Sequence, residues 1–290
     1  HYGLQGTPST QYQFGLTEDP GVPLSENVTQ RSSTQKNRTI TIRSGFKIIK
    51  NIATTLNYNY STTESRSTQI TGNISYSALT LGDELLPFPS WTIRVTGFER
   101  FPLVKKLFRS IVITHAFNGK KAEVWKDSKA TPTQNTISKD FRPFIGANFV
   151  FKNGITASFN YNKTESLQEK MLVSSGITRN TSSLINFNAR YSLKKGIKLP
   201  FFKKRFNNNI DMSIIFTRSI NITARKQPGK TNFTDISNTL NWSFKPTITY
   251  SFTKTVNGGI HFELGKRKDI RVGTTDIKGF GINATILLGG

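Results

Sequence analysis

The sequence offers few side chains that could act as nucleophiles, metal ligands or general acids and bases. It has no cysteine and only three histidines, His1, His115 and His261, which do not stand at the spacing of metal ligands. The missing cysteines exclude a disulfide framework, a thiolate zinc site and a cysteine nucleophile. We therefore expect no metal site in this chain.

Two pairs of acidic residues could in principle supply a general acid and a general base. They are Asp83 with Glu84, and Glu165 with Glu169, and both pairs occur in stretches that look like loops. Paired acids in loops are usually solvated charges. The chain also lacks a Gly-x-Ser-x-Gly elbow and a P-loop. An enzyme would need a cluster of such groups, so we expect no catalytic residue and no cofactor.

The elements that carry these residues show a strict two-residue alternation of apolar and polar side chains. Phe159 and Tyr161, for example, alternate with Asn160. Because side chains of a β-strand point alternately to opposite faces, the pattern predicts strands with one apolar and one polar face. We count about fourteen such segments of about 9–12 residues, the length that a tilted strand needs to cross a bilayer.

These segments predict an all-β fold, an antiparallel transmembrane β-barrel of the outer-membrane type. No run of about 18 apolar residues is present, so a transmembrane helix is not expected. Residues 1–37 are less regular, with one possible strand at residues 12–16, and residues 38–290 would form the barrel. A soluble β-sandwich, acting as an adhesin or binding module, is the alternative fold, but it would have shorter strands and turns richer in Gly and Pro.

In a membrane barrel the two faces meet different solvents. The residues expected to face lipid are Phe159, Tyr161, Phe187, Tyr191, Trp242, Tyr250 and Phe262. Those expected to face the lumen are Asn160, Asn188, Asn241, Thr249 and Glu263.

The connections are expected to be short on one side of the barrel and long on the other. Short turns are predicted at residues 50–51, 118–119, 152–154 and 245–246, and longer loops at about 78–90, 127–139, 194–207 and 225–233.

The chain is strongly basic, with a net charge of +23. Its lysines and arginines cluster in expected turns and loops, which favours anionic lipid headgroups and lipopolysaccharide over nucleic acid as the partner. Residues 101–108 and 199–206 resemble each other and are interpreted as amphipathic connectors at the membrane interface, the alternative being two ordinary basic loops. Their interfacial cations would be Lys105, Lys106, Lys203, Lys204 and Arg205.

Three blocks of sequence are similar to one family of outer-membrane proteins. The first runs from Pro89-Ser90-Trp91 through the Lys105-Lys106 connector to His115, the second covers residues 141–157, and the third runs from Phe244 to Thr285. Together, over roughly residues 85–290, they resemble the C-terminal region of the SprA (Sov) family, the outer-membrane translocons of the type IX secretion system.

The resemblance implies a very large single-chain barrel that conducts folded cargo bearing a C-terminal signal, with a lateral opening, an accessory plug and a small shuttle barrel as partners. The largest known barrels reach about 36 strands, so about fourteen strands would be only part of this one. We therefore expect a structural and conducting segment of a protein-secretion channel in the bacterial outer membrane, completed by the rest of its parent barrel. A smaller closed porin or substrate-specific channel is the alternative.

Overall fold

The computed structural model describes residues 4–17, 19–23, 34–67, 69–82, 84–171, 176–194, 208–253 and 255–286. Most of these residues lie in β-strands, as the alternation predicts. The strands are β1 (Thr34–Ile49), β2 (Ile52–Arg66), β3 (Ile70–Leu81), β4 (Glu84–Pro87), β5 (Ser90–Val95), β6 (Phe108–Lys126), β7 (Pro132–Phe151), β8 (Thr156–Lys170), β9 (Ile177–Leu193), β10 (Ile210–Lys226), β11 (Thr234–Ser251), β12 (Val256–Asp269) and β13 (Gly273–Ile286).

Within the described residues the strands form one 13-stranded antiparallel sheet. From β6 to β13 each strand pairs with the next along the chain, so this part is a simple meander. Such neighbours can be joined by tight hairpins, which keeps the contacts local. We call the end that carries the β2–β3, β6–β7, β8–β9, β10–β11 and β12–β13 connections the upper end, and the opposite end the lower end.

The strands β3 and β5 share one position in the sheet, between β2 and β6. Residues 71–77 of β3 pair with the upper half of β6, and residues 91–95 of β5 pair with its lower half. Between them the chain leaves the sheet as a short hairpin, in which the end of β3 pairs with β4. The sheet therefore stays continuous although a hairpin is inserted into one of its strand positions.

Little of this sheet is buried. The buried apolar residues are Ala78, Ile111, Phe117, Trp125, Ala147 and Ala224, and no large side chain in the described part is fully buried. Every residue of β1 is exposed, and so are nearly all residues of β13. These two strands are the edges of the sheet, and no pairing joins them in the described part of the chain. The described part of the chain is thus a single layer with two exposed edge strands.

The short helices lie outside the meander. Helix α1 (Thr10–Gln13) is capped by Ser9, whose hydroxyl accepts a hydrogen bond from the backbone N–H of Tyr12 at 3.3 Å. A 3-10 helix (Phe98–Arg100) precedes α2 (Pro102–Leu107), and the two lie in the lower connection between β5 and β6. None of the helices in the described ranges has the length and apolar character needed to cross a membrane.

Several sequence-based expectations about boundaries are wrong. The possible strand at residues 12–16 overlaps helix α1 instead, and β1 begins at Thr34 rather than at residue 38. Residues 118–119 and 245–246 are not turns but lie inside β6 and β11. Local Asn-Gly and Lys-Pro signals are overridden there, because residues 118–119 pair with β7 and residues 245–246 pair with β10.

The lengths of the connections also differ from the expectation. Residues 132–139 of the expected loop belong to β7, and most of the expected loop 78–90 is strand. The short turn at residues 50–51 and the long connections that follow β5 and β9 all lie at the lower end. Short and long connections are therefore not segregated to opposite ends of the sheet.

Candidate membrane-spanning surface

The pairing register separates the two predicted sets of residues onto opposite faces of the sheet. Phe159 pairs with Phe187, which pairs with Phe216, and this in turn pairs with Phe244. Directly paired side chains lie on the same face, and residues two apart along a strand share it. By this register the seven residues expected at lipid lie on one face, which we call the apolar face, namely Phe159, Tyr161, Phe187, Tyr191, Trp242, Tyr250 and Phe262.

The five residues expected in the lumen lie on the other face, called here the polar face. They are Asn160, Asn188, Asn241, Thr249 and Glu263, and each is the direct chain neighbour of a residue on the apolar face. No strand is split between the two sets. Which face meets lipid stays a prediction.

The apolar face is largely uncovered over its last strands. Phe262 is 50% exposed, Leu264 is 47% exposed and Phe280 is 61% exposed, although all three belong to regular strands. Phe262 and Phe280 pack against each other with ring centroids 5.1 Å apart, but no second layer lies over them in the described structure. Contiguous exposed apolar surface of this kind is rare on soluble monomers and marks contact with a protein or a membrane.

The height of the apolar face fits a bilayer. On β11 it runs from Leu240 to Tyr250, a span of about 33 Å along an extended strand, which a typical barrel tilt of about 40° reduces to about 25 Å across the membrane. Outer-membrane barrels carry an apolar band of about that height.

The lower boundary of the apolar face is aromatic. Phe108 contacts Phe151 with ring centroids 4.4 Å apart, and Tyr250 contacts Phe252 at 4.9 Å. Tyr191 lies at a similar level on β9, because it pairs with Met212, two residues from the partner of Tyr250. Aromatic girdles at the edges of the apolar band are typical of membrane barrels.

The upper boundary is also aromatic on the side of β5 to β8. Its rings form a chain across four strands, which we call the aromatic cluster and which comprises Phe88, Trp91, His115, Phe117, Phe141, Phe144 and Tyr161. The closest rings are those of Trp91 and Phe117, whose centroids are 4.4 Å apart. Phe117 is only 2% exposed, the most buried of the large apolar side chains in the described sheet.

A bulge in β7 makes this cluster possible, and sequence reasoning missed it. Phe141 pairs with Lys163 and Ile145 pairs with Tyr161, so β7 has two more residues than β8 over this step. The bulge brings the rings of Phe141 and Phe144 to 5.3 Å from each other and exposes the backbone carbonyl of Phe144, which lies 2.6 Å from Nδ1 of His115. The only sequence signal is Pro143, which cannot donate a ladder hydrogen bond.

Over β8 to β13 the upper part of the apolar face also carries cations, although Ile220 and Leu240 lie one row above Arg218. Arg218 lies on the apolar face, paired with Ile185 on one side and with Trp242 on the other. Trp242 in turn pairs with Lys266. We call the exposed cations on this edge of the apolar face the basic boundary, which comprises Lys163, Arg218, Lys266, Lys268 and Lys278.

The polar face is built from cross-strand hydrogen-bonding pairs. The hydroxyl of Ser182 donates to Oδ1 of Asn221 at 2.7 Å, and the hydroxyl of Thr223 donates to Oδ1 of Asn180 at 2.9 Å. Lys245 and Glu263 form a wide ion pair, with Nζ and Oε2 3.9 Å apart. Ile215, whose neighbours are Asn188 and Lys245, is an apolar exception on this face.

Only two of the five basic residues expected at the membrane interface lie in the part of the chain that the structure describes. Lys105 and Lys106 are exposed on helix α2, at the lower end of the sheet. The side chain of Leu103 on the same helix is also exposed, which agrees with an amphipathic connector. Lys203, Lys204 and Arg205 lie outside the described residues.

Groups that could do chemistry do not converge. Within the described residues no three His, Asp or Glu side chains come together as metal ligands would. His115 belongs to the aromatic cluster, and His261 lies on the polar face with Glu263. Glu165 and Glu169 lie in β8 and not in a loop.

Comparisons with family models and with curated proteins assign no family to this chain. No family model matches the chain, and no curated protein matches it at a significant level.

Proposed function

We propose that this chain forms part of the wall of a transmembrane β-barrel. The observation that carries the proposal is the single-layer sheet, whose apolar face bears exposed aromatic and aliphatic side chains and is bounded by aromatic residues. A soluble β-sandwich would bury such a face against a second sheet. Lipid acyl chains are the solvent in which this surface is stable.

The two edges of the sheet favour a wall segment over a small closed porin. A closed barrel pairs its first strand with its last, whereas β1 and β13 are not paired with each other in the described structure. Each unpaired backbone group costs several kcal/mol in hydrocarbon, so in a membrane both edges must meet further strands. Those strands would come from the parent barrel.

The finer proposal is that this wall belongs to a protein-secretion channel of the bacterial outer membrane, similar to the type IX translocon. It rests on the three blocks of sequence similarity between Pro89 and Thr285, together with the open edges. In this role the polar face lines a wet conduit for secreted proteins. The chain supplies structure and a hydrophilic surface, and no chemistry.

Scanning cysteine mutagenesis tests the membrane assignment, because the chain has no native cysteine. Single cysteines at residues 184–191 of β9 would be labelled with an environment-sensitive dye in the assembled parent barrel. We expect spin-labelled lipids to quench the dye at positions 185, 187, 189 and 191, and aqueous iodide to quench it at 184, 186, 188 and 190. Uniform aqueous quenching at all eight positions would contradict insertion in a membrane.

Disruption of the gene in the encoding bacterium tests the secretion role. The translocon proposal expects secreted proteins to accumulate in the periplasm while uptake of small solutes is unchanged. The porin alternative expects the reverse, with slower solute uptake and normal secretion. Stable, uniform small-solute channels formed by this chain alone in planar bilayers would likewise favour the porin.

A further inference from the structure

The basic boundary of the apolar face has a chemistry that the membrane wall by itself does not require. Five exposed cations lie there, within three adjacent rows of paired residues that also hold Ile220 and Leu240, whereas the lower part of this face on β8 to β13 is aromatic at Tyr191, Tyr250 and Phe252. A lipid-facing surface made only for hydrocarbon would need no such row. The asymmetry indicates a specific anionic ligand at the upper boundary.

The centre of this row is a cation, an indole and a second cation on three adjacent strands. Arg218 pairs with Trp242, and Trp242 pairs with Lys266. Two strand spacings separate the cations, about 10 Å, so their long side chains can converge over the indole between them. An indole at this depth is favoured by the membrane interface, where its apolar ring and polar N–H meet different surroundings.

The charges of this centre are largely uncompensated. Arg218 forms no ion pair in the described structure. Lys266 has only Asp276, with Nζ and Oδ1 3.7 Å apart and the Asp276 side chain 66% exposed. An exposed pair of that length contributes little, and an incoming phosphate can replace it. The net charge of the row therefore remains positive.

We propose that Arg218, Trp242 and Lys266 form a binding site for the phosphate of an anionic lipid headgroup, with Lys163, Lys268 and Lys278 extending it along the boundary. This inference rests on the proposed membrane-wall function, because the site faces lipid only if the apolar face does. Lipid phosphate is the occupant that the geometry selects. The cations share a face with Phe187 and Phe244 just below them, so a headgroup can contact the cations while its acyl chains cover the rings.

Vesicle partitioning of the assembled parent barrel tests the proposal, because the wall segment by itself would leave both of its edges unpaired. Partition coefficients would be measured by flotation with neutral phosphatidylcholine vesicles and with vesicles of equal parts phosphatidylcholine and phosphatidylglycerol. We expect the double variant R218Q/K266Q to lose about fivefold of its preference for anionic vesicles for each cation removed, at low salt. Partitioning into neutral vesicles should stay that of the wild type.

Matched variants separate position from net charge. The double variant R190Q/R267Q removes the same two charges from the polar face and should keep the wild-type preference. The variant R218K/K266R keeps both cations on the apolar face and should keep it as well. If R218Q/K266Q retains the full preference, or if R190Q/R267Q loses as much, the site does not exist as proposed.

Two further outcomes distinguish the lipid site from a site for free phosphate and from the membrane-wall function on which it rests. Replacing chloride by inorganic phosphate at constant ionic strength should leave the preference unchanged, and a selective loss would identify a site for free phosphate and overturn the lipid assignment. If the wild-type parent barrel fails to enter neutral vesicles at all, the membrane-wall function fails first. A wild type that enters neutral vesicles but shows no preference for anionic ones overturns the lipid site alone.

Discussion

Gly119 of β6 lies directly against the carbonyl oxygen of Ala78, in a contact that leaves no room for a Cβ atom at position 119. This is where β3 leaves the sheet to form the hairpin with β4. A hydrogen bond from β2 holds the residue before Ala78, because the backbone N–H of Asn59 donates to the hydroxyl of Ser77 at 3.0 Å. The inserted hairpin therefore depends on a glycine in the neighbouring strand.

The variant G119A should lower the free energy of unfolding by about 1–3 kcal/mol, because the new methyl group must displace backbone and not a flexible side chain. The matched control is G45A on β1, where a Cβ would meet no atom within 4 Å. Urea unfolding of the chain in detergent micelles, followed by tryptophan fluorescence, measures both. Equal midpoints for the two variants would contradict the contact.

Adjacent residues of β9 should respond oppositely to an added charge in a bilayer. We expect F187R to cost about 2–4 kcal/mol if Phe187 lies near the membrane midplane, whereas N188R should be nearly neutral, because its side chain points to the polar face, which is proposed to meet water. Refolding of the parent barrel into lipid vesicles at varied urea concentration gives both values. Similar tolerance at the two positions would count against a membrane barrel.

On the apolar face, side chains that are buried by protein should contribute more to stability in detergent than side chains that are exposed. Phe117 is 2% exposed within the aromatic cluster, and Phe262 is 50% exposed near the edge of the sheet. In detergent we expect F117A to cost about 3–5 kcal/mol, as for a well-packed core phenylalanine, and F262A clearly less. Unfolding midpoints of the two variants provide the test. A larger loss for F262A would mean that the aromatic cluster is not a packing centre.

Hydrogen exchange should report the open edges. In the isolated chain, alternate backbone amides of β1 and β13 lack a partner strand and should exchange much faster than the amides of β9 and β10, which are paired on both sides. Mass spectrometry of the chain in micelles resolves these segments. Uniform protection of β1 and β13 would show that the edges pair with each other, as in a closed barrel.

The sequence by itself determined the strand-rich fold and the division of residues between the two faces. The alternation of Phe159 and Tyr161 with Asn160 is enough for this, because side-chain direction along a strand has a period of two whatever the partner strands are.

Only the tertiary structure decided which residues meet across strands. The row of Arg218, Trp242 and Lys266 joins positions far apart in the chain, and the register that aligns them depends on pairing over the whole length of β10, β11 and β12. The same holds for the bulge that brings Phe141 beside Phe144, and for the hairpin at Ala78. Local propensity at Gly119 or Pro246 pointed to turns, yet both residues lie within strands. Each is paired within a long ladder, Gly119 with Lys139 of β7 and Pro246 with Ile214 of β10, and that pairing outweighs a weak local turn preference.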